Sequence, residues 1–476
     1  MAVEMGFFFD FVLSLLVILF SIIFLLHKKL NDNSKKLPPG NMVLPWLGET
    51  PAFYKAQLKN RLFEDFIQPR IAKHGNVFKT MLMGSPTVVV SGVGANRFFL
   101  SNEFKLVVSA WPSTSVQLMG KESIMERTGE RHRCIRGVIT EVLGPSSLEH
   151  LVPKMCKTVE DHLKRHWQGQ DRIILFQSAK MLTFSIVMEC LLGIKVEPGM
   201  LDIFERVLEG VFKPLVDLPG TSFWRAKRAR LEIVEMLLNV VRKKREEMEN
   251  GLEEKEEGTL LTRLVKGLIR GEFSEVEVID NMVLLVFASH DTTSFAIAMT
   301  CRMLAHHPNC YDLLLQEHVK IMESKNAGET LTLEDTKKMN YTWQVARESL
   351  RMFPPIFGSF RKAIVDIEYE GFTIPKGWKV LWTAYGTHYD KDYFPDPLSF
   401  NPSRFKEAMP PYAYMPFGGG PRMCAGYQLA KLNILIFLHF FVTRYDWSLI
   451  HPDETITMDP LPFPRHGMPI KISPKL

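Results

Sequence analysis

The stretch "PFGGGPRMCAGYQLAKL", Pro416 to Leu432, limits what this chain can fold into more than any other. A proline-bounded glycine loop brings one thiol, Cys424, to the start of a run that is apolar at helical spacing from Tyr427 to Phe441. Gly418, Gly419 and Gly420 open backbone conformations closed to other residues, so amide N–H groups can approach a sulfur closely. The helix beyond aims the positive end of its dipole at that sulfur, which is expected to lower the thiol pKa. Packing alone gives no reason for the glycines, the prolines or the neighbouring Arg422. Zinc needs further ligands at short spacing, and none stands nearby. A nucleophile needs a histidine base, which the sequence leaves open.

The other cysteines are Cys134, Cys156, Cys190, Cys301 and Cys310, and no Cys-x-x-Cys occurs. Scattered single thiols read as reduced, small core residues on the cytosolic side of any membrane. With 476 residues, 46% hydrophobic and 23% charged, the chain is globular. A net charge of +5 is mild. There is no long basic tail and no phosphate-cradling glycine loop, so nucleic acid is not an expected partner.

Phe7 to Leu26 is apolar apart from Asp10 and a few small polar residues. Twenty helical residues span roughly 30 Å, the thickness of a bilayer core. Lys28 and Lys29 follow the run rather than precede it, and no small-x-small cleavage site is evident, so an uncleaved anchor is expected rather than a signal peptide. The same charges place the remainder in the cytosol, and the expected membrane is that of the endoplasmic reticulum. The expected domains are an anchor over 1–30, a polar and proline-rich linker over 31–40, and one large domain over 41–476.

Val77 to Gly92 alternates and turns at Gly84-Ser85-Pro86, which predicts a hairpin. A second strand-rich patch covers Ile364 to Ala384, and a third lies between Asp459 and Lys471. Strands of the first two patches are expected to pair across a long helical insert. The longest helical pattern runs from about Ser274 to His307, with Pro308 as its stop. Glu249 to Glu257 is a solvated charge run. The fold class is mainly α with small β-sheets (α+β).

Read in full, Phe417-x-x-Gly420-x-Arg422-x-Cys424-x-Gly426 resembles the haem-binding signature of the cytochrome P-450 superfamily, the haem-thiolate monooxygenases. The resemblance implies that fold, with haem b (iron protoporphyrin IX) as cofactor and Cys424 as the metal ligand. It implies Arg422 on a haem propionate and Phe417 shielding the sulfur, with Gly426 completing the cofactor loop. Glu348 and Arg351 of "ESLR", with Arg404, resemble the family's structural Glu-x-x-Arg plus Arg triad. His132 and Arg136 of "HRCIR" match propionate-contacting positions, with His where many relatives have Trp, and Arg361 matches a further one. "FASHDTTSF" resembles the oxygen-activation motif, making Asp291 and Thr292 the catalytic proton relay, although Ser289 stands where Gly is usual. A Thr bonded back to the preceding turn is the plainer reading of the same residue. Gly418 to Trp447 is similar to a plant group that oxidises terpenoids and steroids, with Asn433 in place of a common Glu.

Three functions follow as alternatives. One is a monooxygenase hydroxylating an apolar terpenoid or sterol-like scaffold, with electrons from NADPH through a flavoprotein reductase. In it, Arg131, Arg133 and Lys431 are expected to present a basic docking surface, and Trp111, Val116, Leu118, Phe287, Phe357 and Phe463 to line the pocket. The second is an isomerase or lyase rearranging a peroxide, a group that tends to lose the acid–Thr pair. The third is a non-enzymatic haem sensor or carrier.

Overall fold

In the computed structural model, which describes residues 36–42, 47–251, 258–326, 328–459 and 461–475, the alternating stretch after Asn76 is an antiparallel hairpin. Val77–Leu82 pairs with Ser85–Val90, Val77 opposite Val90 and Leu82 opposite Ser85. The turn is Met83-Gly84, both at positive φ (49° and 68°), one position earlier than the sequence suggested. Positive φ at both positions is the type I′ pattern that suits the twist of the flanking strands, and Pro86 cannot supply it. Glu370-Gly371 repeats the device between Ile367–Tyr369 and Phe372–Ile374.

The first of two compact units comprises the described residues up to Ala110 together with Ser359–Thr383. Its five-stranded sheet runs Val77–Leu82, Ser85–Val90, Lys379–Thr383, Gly358–Ala363, Val107–Ser109. Thr87 to Val90 pair in parallel with Lys379 to Trp382, the expected pairing across the insert. Part of the expected linker is docked here. The Lys79 N–H donates to the Pro39 carbonyl (2.7 Å) and the Thr373 N–H to that of Lys36 (2.8 Å). A side chain at Gly40 would collide with the Lys79 carbonyl, so the chain can lie on this strand only with glycine there.

The second unit, Trp111–Gly358 with Ala384–Leu476, is mainly helical. Its axis is the long helix Glu275–His306, as expected from the apolar pattern. Ser274 and Glu277 close a capping box at its start, and Pro308 opens the next helix, Pro308–Glu323. The long helix packs on Leu175–Ser185, Ser222–Glu249, Asn340–Met352 and the cysteine helix Tyr427–Arg444. The cysteine helix is apolar all round and buried from Leu432 to Val442, each fully buried large side chain contributing roughly 1.5–3 kcal/mol. Two small sheets come from the C-terminal patch: Pro469–Pro474 between Arg172–Ile174 and Tyr445–Leu449, and a hairpin of Ile456–Met458 with Pro462–Pro464. The expected anchor and residues 252–257 of the charge run lie outside the described residues.

Candidate active site

Gly418 and Gly420 both sit at φ +67°, where a side chain is strained, while Gly419 at φ −163° is needed for space. A Cβ there would come within 3.0 Å of Met415 Cε and 3.1 Å of Tyr412 Cε1. The loop closes where the Cys424 N–H donates to the Phe417 carbonyl (2.9 Å), and the Phe417 ring stands edge-on to Tyr427 at 4.8 Å. The Gly426 N–H donates to the Cys424 sulfur. Gly426 itself has φ −85°, and a Cβ on it would make an ordinary 3.9 Å contact with the sulfur.

Cys424 is exposed, yet surrounded closely enough that burial is the largest influence on its thiol. A group both accessible and deep lines an interior space. The expected lowering of the thiol pKa does not hold in the free protein. Burial raises it, outweighing the opposing effects of the Gly426 N–H and the Arg136 charge.

Around the thiol stand His132, Arg136 and Arg422. The helix Gly129–Val142 carries the first two, one turn apart. His132 is buried, and its pKa falls to about 4 through burial first and the charges of Arg422 and Arg136 second. It is a neutral imidazole at neutral pH, a hydrogen-bond donor rather than a third cation. Arg136 is destabilised as a cation by burial and by Arg422, and favoured by the charge of Cys424. The Arg422 guanidinium donates to the carbonyls of Ile124 and Met125 (both 3.1 Å) and Arg127 (2.6 Å). Arg361, in the first unit, is buried and ion-paired to Glu103 (2.6 Å), with a further bond to Ser359 Oγ (2.7 Å).

The triad forms as expected. Glu348 accepts from Arg351 Nε and Nη2 (2.8 and 2.9 Å) and from Arg404 Nε (3.2 Å), with Glu348 and Arg351 fully buried. Sequence reasoning missed its connection to the cysteine loop. Arg351 donates to the His388 carbonyl (2.9 Å), and the His388 ring lies between the Arg351 carbonyl (Nδ1, 3.0 Å) and the Met415 N–H (Nε2, 2.8 Å). That pairing requires a neutral ring protonated on Nδ1, and burial holds the pKa of His388 down at about 3. A buried histidine accepting from the residue before Pro416 has no local signature.

On the long helix, Ala288 is exposed and Leu284, Leu285, Ser289 and Thr292 are half-buried, within a helix otherwise mostly buried at this level. These positions share one face, which borders open space. Both hydroxyls on it are bonded back one turn, Ser289 to the Leu285 carbonyl (2.6 Å) and Thr292 to that of Ala288 (2.8 Å). The Thr292 oxygen can still accept. Of the expected pocket residues, Leu118 and Phe287 are core, Phe287 packing on Phe204 at 5.3 Å. Trp111, Val116, Phe357 and Phe463 are partly buried.

Asp291 points elsewhere. Its Oδ1 is 2.9 Å from Lys180 Nζ, and Lys180 is also 2.9 Å from Glu205 Oε1. Burial opposes the Lys180 charge, but the two carboxylates outweigh it and raise the pKa. Lys180, on Leu175–Ser185, had no sequence signal, since a lone lysine on an amphipathic helix reads as solvated.

A soft thiol on an accessible wall, with an N–H on its sulfur and His132, Arg136 and Arg422 beside it, fits a thiolate-ligated haem with anionic propionates. These features suit the haem-thiolate class of oxidoreductases. The cytochrome P-450 family model matches residues 38–473, and the chain belongs to that family. It is 39% identical over 459 residues to the taxane 13-alpha-hydroxylase of Taxus cuspidata, covering 94% of each chain. It is 36% identical to the beta-amyrin 28-monooxygenase of Kalopanax septemlobus, covering 97% of each. The retinoic acid-bound structure of a cyanobacterial family member superposes with a TM-score of 0.83 at 31% identity, over 93% of this chain and all of that one.

Proposed function

We propose that the protein is a haem-thiolate monooxygenase that hydroxylates an apolar terpenoid or sterol-like scaffold, using dioxygen and NADPH electrons delivered by a flavoprotein reductase. The observation that carries this reading over an isomerase or a carrier is the pairing of Thr292 on an open helix face with Asp291 in a buried charge cluster. Taking Asp291 and Lys180 out of water costs free energy that their pairing need not offset, which favours a use for them. The names of the taxane and beta-amyrin relatives support a terpenoid substrate.

When bound, haem supplies the iron at which oxygen is activated, with Cys424 as its thiolate ligand. The chain's own part begins at the loop, which holds the sulfur still and gives it one N–H donor. His132, Arg136 and Arg422 form the donor cluster suited to propionates. Thr292 offers an acceptor oxygen on the open face, where a water can be held. Asp291, tethered through Lys180 to the half-exposed Glu205, connects that face to bulk protons.

The proposal extends to the chain's placement: an anchor over 1–30 and a linker to about residue 40, with the haem domain in the cytosol at the endoplasmic reticulum. The apolar helical stretches Leu175–Leu192 and Glu275–His306 are buried core rather than spans. Phe212, Leu215, Val216 and Leu218 are exposed together between two helices, which suits membrane lipid and an apolar ligand. Of the cations expected to face a reductase, Arg133 is well exposed. Arg131 is ion-paired with Glu277 and Lys431 is partly buried against Trp343.

Microsomes carrying the protein and a reductase, screened against terpenoid scaffolds, test this directly. Oxygenated product requiring both NADPH and dioxygen is expected. Thr292→Ala should keep the haem spectrum while diverting electrons to hydrogen peroxide, and Asp291→Asn should slow turnover. Conversion without reductant and dioxygen, or full activity in both variants, sinks the reading.

A further inference from the structure

The open face of the long helix stops at a definite place. Glu277, Asn281, Leu284, Leu285, Ala288 and Thr292 recur at three- and four-residue spacing, so they form one stripe along Glu275–His306. From Leu284 to Thr292 the stripe is half-buried or exposed, whereas Glu277 and Asn281 are buried. What covers these two is the chain that follows the helix Ser113–Met119. The Ile124 N–H donates to Asn281 Oδ1 (2.9 Å), and Arg131 Nε donates to Glu277 Oε1 (2.6 Å).

Asp280, next to Asn281, fastens the same chain again. Its Oδ2 accepts from the Glu122 N–H (2.9 Å). Its Oδ1 accepts from Arg230 Nη2 (2.5 Å), on the helix Ser222–Glu249, and Arg230 Nε donates to the Gln117 carbonyl (2.9 Å). Gly120 lies against the carboxyl group at φ +108°, where a Cβ would come within 2.4 Å of Asp280 Cγ. Only glycine lets the backbone approach so closely. Residues 117–124 are therefore a strap pinned across the helix. Its far end is held separately, by Arg422 on the carbonyls of Ile124 and Met125.

Resting on the reading of the open face as the substrate wall, we infer that Asn281 and Asp280 are positioning residues that set where the substrate space ends. By pinning the strap over Asn281, they limit the free face to Leu284–Thr292, about 12 Å of helix. The site then takes scaffolds that are compact along the helix axis and stops longer ones at the strap. Both residues act through 117–124 rather than on the reacting atoms. A strap let go at Asn281 uncovers about one further turn, roughly 5 Å.

The test uses the full-length protein with bound haem and a series of 1-alkylimidazoles. Their nitrogen binds the iron and shifts the haem absorption, while the alkyl chain probes the pocket. Each methylene that finds apolar space tightens binding about fourfold, so affinity climbs with chain length and levels off where the chain meets the strap. Asn281→Ala removes the acceptor for the Ile124 N–H, and Gly120→Ala pushes the strap off Asp280 without touching a charge. In both, the levelling-off should move to chains longer by about four carbons, the length of roughly one helical turn. Amide exchange in residues 120–125 should quicken. Asn281→Asp keeps an acceptor for the Ile124 N–H and should keep the wild-type break. A break at the wild-type length in Asn281→Ala and Gly120→Ala overturns the inference, whether or not exchange quickens. Wild-type affinity that does not change with chain length overturns instead the reading of the face as the substrate wall.

Discussion

The cysteine loop and the acid–threonine segment of the long helix both serve the candidate active site, but they are built in opposite ways. The loop's backbone is shaped locally, although Met415 and Arg422 are also held by distant residues. Two glycines at positive φ, a third where a side chain would press on Met415 and Tyr412, and a hydrogen bond from Cys424 back to Phe417 fix the sulfur within nine residues. The helix segment has ordinary local geometry, running helical from Glu275 to His306. Its charges are arranged by residues distant in sequence: Lys180, Glu205 and, at the His290 carbonyl, the Thr183 hydroxyl (3.1 Å). Damage to the first region should therefore track backbone strain, and damage to the second should track uncompensated charge.

The largest effect expected is Cys424→Ser, which should abolish the thiolate-type absorption of the reduced carbonyl complex, since a hydroxyl is a poor soft donor. Cys134, Cys156, Cys190, Cys301 and Cys310 changed singly to Ser or Ala should each retain it. A retained thiolate spectrum in Cys424→Ser would remove the loop from the site altogether.

Next is Lys180→Met, which strands a buried carboxylate and should cost about 3–5 kcal/mol in denaturant titrations without altering the haem spectrum. Adding Asp291→Asn should restore most of that loss. A neutral single variant would mean that the helix segment does not depend on tertiary charge.

Acid should come third. His132, His162, His318, His388 and His439 are buried, with folded pKa values of about 3 or 4 against 6.5 for the free side chain. Below 6.5 the unfolded chain binds protons that the folded chain refuses, so stability is full above that pH and falls as pH drops towards 3. The loss is read from melting temperature against pH. His388→Asn should flatten part of that slope, because Asn does not titrate. An unchanged slope would show that His388 does not titrate on unfolding.

The smallest effects separate the glycines. Gly418→Ala and Gly420→Ala should each cost about 1–2 kcal/mol for the left-handed conformation. Gly426→Ala should be nearly neutral, because its backbone suits any residue and a Cβ fits beside the sulfur. Equal costs at all three would mean that the loop is limited by space rather than by φ.

The sequence alone determined whatever depends on neighbours along the chain. The capped long helix, the valine hairpin, the glycine loop and the Glu348–Arg351 spacing all follow from backbone preferences, periodicity and side-chain reach within a few residues. Even the pairing of the two strand-rich patches was legible, because both are apolar and need a partner, whereas its parallel sense and the register of 87–90 on 379–382 came only from the structure. Tertiary structure decided the electrostatics. The thiol pKa rises because burial outweighs a favourable N–H, His132 is neutral because burial and then two nearby arginines disfavour its charge, and Asp291 faces Lys180 rather than the open space beside Thr292. Desolvation and charge–charge energies depend on what surrounds a group in three dimensions, and residues over a hundred positions apart, such as Lys180 and Asp291, carry no local mark of that meeting.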